Sequence, residues 1–329
     1  MKFSRRKQGT TTAPGNRLDS ENGRLLGKII AVVLIVYLLI CLLVGWYWSR
    51  EPDLDDLTVL PVGNTETLTT GSHTARTLQA LVGTLLDKPG GFISNDIAPP
   101  GIWLDNMPSW EFGVLVQVRD MTRSMRRDMA RSQSQSTEDA DLSRAEPRFH
   151  FDHNSWVMPA SESEYRDGRK ALNNYITRLE SGNASFYARA DNLAGWIGDA
   201  STRLGSLSQR LSASVARTPL NDGGRERAKT PWLEIDNVFY EARGSAWALV
   251  HLLRAVEKDY ADVLNNKNAL VSLRQIIREL EATQAPMWSP VILNGGGFGM
   301  LANHSLVMAN YLSRANAGLI DLRRLLEQG

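Results

Sequence analysis

Residues 29–48 read IIAVVLIVYLLICLLVGWYW, a run of twenty residues without a charged side chain. Because an α-helix rises about 1.5 Å per residue, this run would form a helix of roughly 30 Å, the thickness of the hydrocarbon core of a bilayer. Trp46, Tyr47 and Trp48 close the run with rings that favour a membrane–water interface, and Lys28 precedes it. The run therefore predicts a single transmembrane helix in contact with a lipid bilayer.

The charges on the two sides of this run differ in sign. Seven basic and two acidic residues precede it, whereas Glu51, Asp53, Asp55 and Asp56 follow it. Because the cytoplasmic flanks of membrane helices carry the excess of Lys and Arg, we expect residues 1–28 to be a cytoplasmic tail and residues 49–329 to lie outside the cytoplasm. A cleavable signal peptide fits less well, because its apolar region is shorter and ends in small residues.

The composition narrows the function further. The chain has 329 residues, with 37 Lys plus Arg against 36 Asp plus Glu, so it lacks the basic excess of a nucleic-acid binder and we expect no such partner. Its one cysteine, Cys41, excludes an internal disulfide and a zinc site built on several thiolates. A tail of 28 residues is too short to fold as a kinase or cyclase, which weakens the interpretation as a transmembrane sensor.

The residues after the apolar run have the spacing of helices. From Leu172 to Ser214, alternate steps of four and three residues meet an apolar side chain at eleven of thirteen positions, which predicts one long heptad-patterned helix within about 161–217. Its seam needs cover from later helices or from a second chain. Strand candidates are short: 58–62, 148–151 and 291–293. We therefore predict a mainly α fold, a transmembrane helix followed by an elongated helical bundle.

Two segments of this domain have a different composition. A turn-rich segment at about 89–108 contains Trp103 and is followed by Trp110, and we expect both indoles to fix it to the core. Residues 132–147 form a polar linker that marks a candidate boundary within the domain.

The candidate metal ligands are His150, Asp152 and His153, two imidazoles and a carboxylate within four residues. These are ligand types that zinc and other divalent ions accept. A short His/Asp cluster in a polar loop more often bonds its own backbone, and no H-E-x-x-H motif supports a metal site. We expect no cofactor and assign no catalytic residue.

The candidate contact residues fall into three groups. The heptad stripe supplies one group, an amphipathic helix at about 109–132 the second and a glycine loop the third. A Met stripe can form an adaptable binding groove and Arg rows can meet anionic lipid or glycan, although a core contact with a solvated basic face explains the same pattern. The residues are Ile197, Leu204, Leu207 and Leu211; Met121, Met125, Arg123 and Arg127; and Gly297 and Phe298.

Three longer segments carry a resemblance: SFYARADNLAGWIGDASTRLGSLSQRL (185–211), TPWLEIDNVFYEARGSAWALVHLLRAVEKDY (230–260) and LNGGGFGMLANHSLVMANYLSRAN (293–316). With the basic tail and the single span, they resemble a domain-of-unknown-function family of proteobacterial single-pass inner-membrane proteins. The resemblance covers nearly the whole chain and implies a Gram-negative inner-membrane location with a periplasmic domain. That family has no assigned activity, so it supplies no functional residues.

These observations favour a scaffold or accessory subunit of a cell-envelope process that acts through contacts with a protein partner or through a homo-oligomer formed by the long helix. The alternative is a periplasmic enzyme acting on cell wall or lipid, with His150, Asp152 and His153 at its centre. A ligand sensor that works through a separate cytoplasmic partner is a third class.

Overall fold

The computed structural model describes residues 16–57, 69–131, 137–213, 231, 234–287, 289, 291–295 and 302–328. Within these ranges the chain forms ten α-helices and no β-strand, which confirms the mainly α fold and the helical bundle. The helices are α1 (Asn16–Trp48), α2 (Ser72–Asp87), α3 (Asn106–Ser124), α4 (Ala140–Phe149), α5 (Ser161–Glu180), α6 (Ala190–Ser212), α7 (Ile235–Asp259), α8 (Ala261–Asn266), α9 (Leu270–Ala282) and α10 (His304–Glu327).

Helix α1 contains the apolar run. Its segment Arg24–Trp48 is long and apolar enough to cross a membrane, and it is the one helix of the described chain that meets this test of length and composition. The chain divides into two compact units, Met1–Tyr47 and Trp48–Gly329. The second unit contains the helical bundle.

Helix α7 is the central helix of the second unit. Between Ala242 and Val256 almost every side chain is buried, so the helix is covered on all sides. Helix α2 runs antiparallel to α5, because Arg76 pairs with Glu180 near one end and Arg169 pairs with Asp87 near the other. Both α2 and α3 pack against α7.

Two glycines allow α3 and α7 to approach closely. A Cβ atom at Gly113 would overlap the carbonyl oxygen of Glu241, and a Cβ atom at Gly244 would overlap that of Trp110. Gln117 Nε2 donates to Ser245 Oγ over 2.8 Å at the same crossing. The backbones are therefore in direct contact, and Trp110 and Trp247 pack beside them with ring centroids 5.2 Å apart.

The segment predicted as one long heptad helix forms two helices, α5 and α6. Helix α5 ends at Glu180, and Gly182 follows with φ 76°, a left-handed conformation that cannot continue a right-handed helix. The stripe on α6 faces α10, which runs antiparallel to it: Ser201 Oγ donates to Asn316 Oδ1 over 2.8 Å, and Ser208 Oγ donates to Ala309 O over 3.0 Å. The seam is thus covered within the chain.

The strand candidates have three different outcomes. Arg148 and Phe149 belong to α4, so no strand forms at 148–151. Residues 291–293 form no strand either, and only the adjacent Asn294 makes an isolated bridge, to Asn303. Residues 58–62 lie outside the described residues. The predicted boundary at 132–147 stays a prediction, and α4, which overlaps its second half, packs against α5.

One end of the second unit contains the residues through which the chain enters it. Trp48 packs against Gly90, where a Cβ atom would overlap the indole. Asn95 Nδ2 donates to Ser155 O over 2.8 Å and so joins two loops, 88–105 and 151–160. The segment 48–57 also contacts the first turns of α7 (Arg243 with Glu51). We call this region the Trp48 end.

Candidate functional site

Arg243 holds the first residues of the second unit in place. Its Nη2 lies 2.7 Å from Glu51 Oε2, and its Nη1 donates to the carbonyls of Thr283 and Ala285 over 3.0 and 3.1 Å. One turn later, Trp247 Nε1 donates to Asp53 O over 3.2 Å. Burial raises the pKa of Glu51, and the Arg243 guanidinium opposes that shift. We refer to Glu51, Asp53, Arg243 and Trp247 as the Arg243 cluster.

A second ion pair organises the irregular segment that follows α2. Lys88 Nζ and Glu111 Oε1 are 2.5 Å apart, and both side chains are fully buried. The Glu111 carboxylate also accepts hydrogen bonds from Ile93 N over 2.9 Å and from Ser94 N over 2.8 Å. Burial raises the pKa of the neighbouring Asp96, and the carboxylates of Glu111 and Glu162 raise it further. A single buried carboxylate thus fixes the loop that leads to Trp103.

Two loops at the Trp48 end expose large apolar side chains. Residues 97–104 read IAPPGIWL and residues 155–160 read SWVMPA, and neither loop contains a charge. Six of their side chains are more than half exposed, and Met158 is 95% exposed. We call this surface the Trp103/Trp156 patch; it consists of Ile97, Ile102, Trp103, Trp156, Val157 and Met158.

Hydrogen bonds hold both loops in shape. Asn95 Nδ2 donates to Glu162 Oε2 over 2.7 Å as well as to Ser155 O. Ser155 Oγ donates to Pro159 O over 2.9 Å, and Ser161 Oγ donates to Asp152 O over 2.7 Å. The apolar side chains are therefore displayed on an ordered backbone.

The prediction that Trp103 fixes this segment to the core is wrong, because its side chain is 53% exposed. The expectation for Trp110 is confirmed, since that indole is fully buried against Trp247. The sequence signal that points to the patch is the absence of charge in two short Trp-containing loops. Sequence reasoning missed it because tryptophan is usually a core residue.

The candidate metal ligands have other partners. His150 Nε2 lies 2.7 Å from Arg123 Nη2, and its Nδ1 lies 3.0 Å from Glu146 O. His153 packs against Phe112 with ring centroids 4.9 Å apart, and burial lowers its pKa, as does Arg119. Asp152 Oδ1 accepts from Asn154 N over 3.0 Å. No group of three or more metal-binding side chains forms among the described residues.

Most of the candidate contact residues are not at the surface. Ile197, Leu204, Leu207 and Leu211 are buried in the core that includes α10, and Met121 and Met125 are buried as well. Arg123 is bonded to His150 and lies 3.4 Å from Asp120. Arg127 is exposed on a π-helical turn, Met125–Met129, that extends α3. Gly297 and Phe298 lie outside the described residues.

An open groove of about 570 Å³ lies between α4 and α5. Its walls carry charges of both signs, including Arg148 and Glu164, which form an ion pair. Neither His150 nor His153 lines it. The groove therefore does not provide a substrate pocket beside the two histidines, as the enzyme hypothesis requires.

The fold and these contacts define a class of protein: an N-terminal apolar helix followed by a helical bundle whose first residues are bonded into its core. The chain belongs to the DUF2333 family, described as an uncharacterised protein conserved in bacteria, and the family model matches residues 20–329. This match confirms the resemblance to a domain-of-unknown-function family. No curated protein and no solved structure matches the chain significantly.

Proposed function

We propose that this chain is a single-pass inner-membrane protein with a cytoplasmic N-terminus and a periplasmic helical domain. In this proposal the domain serves as a scaffold or accessory subunit of a cell-envelope process and acts through protein contacts. The observation that carries the proposal is the Arg243 cluster. Through it, Glu51 and Asp53, which follow the apolar helix in sequence, are bonded to α7 of the bundle.

The orientation rests on charge. Basic residues dominate before the apolar run and Glu51, Asp53 and the next carboxylates follow it, the asymmetry that places the basic side in the cytoplasm. A domain attached in this way is confined to one surface of the membrane. That confinement suits a protein that brings partners together there.

Fusions to the C-terminus test the orientation in cells. Alkaline phosphatase is active only after export, whereas green fluorescent protein exported in unfolded form does not fluoresce. We expect the phosphatase fusion to be active and the fluorescent fusion to be dark, with an N-terminal epitope tag kept on the membrane-bound chain. The reverse pattern would contradict the orientation, and loss of the tag would show that the apolar helix is a cleaved signal.

The partner contact is best tested at Arg127, which is exposed and is the one such residue among the predicted contacts that the structure describes. Substitutions of Ile197 or Leu204 would unfold the bundle, because both side chains are buried. A photo-crosslinking amino acid at position 127 should give a discrete adduct in intact cells, and a similar probe at the exposed Val271 serves as the control. When an unlabelled chain is co-expressed with the probe-bearing chain, it should reduce the adduct by competing for the partner. An unlabelled Arg127→Glu chain should reduce it much less. Equal labelling at both positions would count against a specific contact.

A further inference from the structure

The exposed apolar side chains of the second unit are concentrated at the Trp48 end. Ten large hydrophobic side chains are exposed among its described residues, and six of them belong to the Trp103/Trp156 patch. Contiguous exposed apolar surface is rare on soluble proteins and marks a site of contact. Since buried and partly buried hydrogen bonds order the loops, the exposure is a property of the fold and not of a frayed segment.

The position of the patch in the chain indicates what covers it. Trp48, the last residue of the apolar helix, packs against Gly90, near the start of the loop that carries Ile97 and Trp103. Asn95 in that loop is bonded to Ser155, next to Trp156. The patch is therefore at the Trp48 end, where the chain enters the second unit.

The chemistry of the patch fits the interface of a bilayer. Tryptophan prefers the headgroup region, where its ring meets acyl chains and its N–H meets water, and Trp103 and Trp156 stand among Ile, Val and Met side chains. Segments 97–104 and 155–160, which carry the patch, contain no charged side chain that would have to be desolvated in the lipid. A protein partner that covered the same surface would have to compete with the bilayer, because the apolar helix keeps the domain close to the lipid.

We propose that the helical domain lies on the surface of the bilayer through the Trp103/Trp156 patch, which is a second membrane contact in addition to the apolar helix. This inference rests on the proposed function, since it takes the apolar helix to be anchored. The contact is apolar, and the carboxylates of Asp96 and Asp105 flank the first loop. Binding should therefore need no anionic lipid and should depend little on salt.

The test uses the full chain with Cys41→Ser and one new cysteine, reconstituted in phosphatidylcholine vesicles. The positions are Ile102 and Met158 in the patch, Val271 as an exposed control on α9, and Leu42 in the apolar helix. Each cysteine carries the NBD fluorophore, and the quencher is phosphatidylcholine with a nitroxide on its acyl chain. We expect strong quenching and a blue shift at 42, 102 and 158 and neither at 271, with the same result when phosphatidylglycerol or salt is added.

A Trp103→Ser, Trp156→Ser double substitution should reduce the quenching at 158 several-fold and leave that at 42 unchanged, without unfolding the bundle, because both indoles are exposed. If the probe at 42 shows neither a blue shift nor nitroxide quenching while the probes at 102 and 158 show both, the membrane contact of the patch is supported and the membrane anchor is rejected. Quenching at 42 without quenching at 102 and 158 would overturn the patch and keep the anchor, and the surface would then be a protein-binding site.

Discussion

Lys88 and Glu111 form a buried ion pair, and each side chain also hydrogen-bonds to the backbone of residues 91–94. Lys88 Nζ donates to Gly91 O over 2.6 Å, while Glu111 binds the amides of Ile93 and Ser94. A buried charge that loses its partner keeps its full cost of desolvation, so such pairs are far more sensitive to substitution than surface pairs.

Replacing Glu111 with Gln should therefore destabilise the protein by about 3–5 kcal/mol, because the Lys88 ammonium is left buried without a counter-charge. Chemical unfolding of the detergent-solubilised chain, followed by tryptophan fluorescence, measures this loss. A Lys88→Met, Glu111→Gln double variant is the matched control and should recover part of the stability. If the double variant is as unstable as the single variant, the unpaired charge is not the cause.

His251 should make stability depend on pH. Burial lowers its pKa to about 4, Arg254 contributes in the same direction, and its ring packs edge-on against Trp247. The unfolded chain has an ordinary histidine pKa near 6.5, so the stabilisation is present above that pH and is lost as the pH falls towards the folded pKa. Its Nε2 has no hydrogen-bond partner within the described parts of the chain.

When the pH falls from about 7.5 to 5, His251 should lower the free energy of unfolding by about 2 kcal/mol. The decrease in a His251→Leu variant should be smaller by the same amount. Thermal unfolding at the two pH values provides the comparison. Parallel pH dependence in both proteins would show that other groups are responsible.

For the helices, the sequence pattern predicts which face is buried better than it predicts where each helix ends. The heptad steps mark Ile197, Leu204 and Leu211 as positions on a seam that needs cover, and all three are buried, since burial follows the helical period. The heptad count alone does not predict the break after Glu180, because one polar position, Asn183, leaves the stripe otherwise regular. The turn residues Ser181 and Gly182 are the local signal. The pairing of α6 with α10 is also not predictable, since many apolar stripes would fit.

The crossing of α3 and α7 gives a sharp test at this scale. Gly244→Ala should destabilise the bundle by about 1–3 kcal/mol, because the new methyl group meets the Trp110 backbone, which cannot move aside without shifting the helix.

Gly195→Ala in α6 is the matched control: its Cβ meets nothing within 4 Å, so the variant should be more stable by up to about 1 kcal/mol. Unfolding curves of both proteins under one condition decide the matter. Similar effects from the two substitutions would mean that helix propensity and not the crossing dominates.

For the whole molecule, the sequence predicts the division into an apolar helix and a helical bundle, because an uncharged run of twenty residues, 29–48, is typical of a transmembrane helix. The contacts that organise the Trp48 end could not be predicted. Arg243 binds Glu51 across 192 residues of sequence, and nothing local to either residue indicates the other. The exposure of the Trp103 indole depends on a loop that Glu111 holds from a distant position in the sequence, and its local signal is only the absence of charge in 97–104.

The Arg243 cluster should protect the start of the domain from proteolysis. Trypsin can cut after Arg50, but cleavage requires the segment around Glu51 to leave its site. We expect Glu51→Ala to accelerate this cut clearly in limited digestion of the reconstituted chain, with the fragment starting at residue 51 identified by mass spectrometry. Asp55→Ala, at an exposed position of the same segment, should behave as the unaltered chain does; equal acceleration would argue against the ion pair.

The pairing of α6 with α10 also has a consequence for synthesis. Ser208 and its acceptor at Ala309 are 101 residues apart, so the apolar stripe of α6 leaves the ribosome long before its cover does. Until α10 has been made, the stripe with Leu204 and Leu211 is open to chaperones, and the bundle can close only after α10 has been translated. A premature stop codon ahead of His304 would therefore leave a permanent target for quality-control proteases.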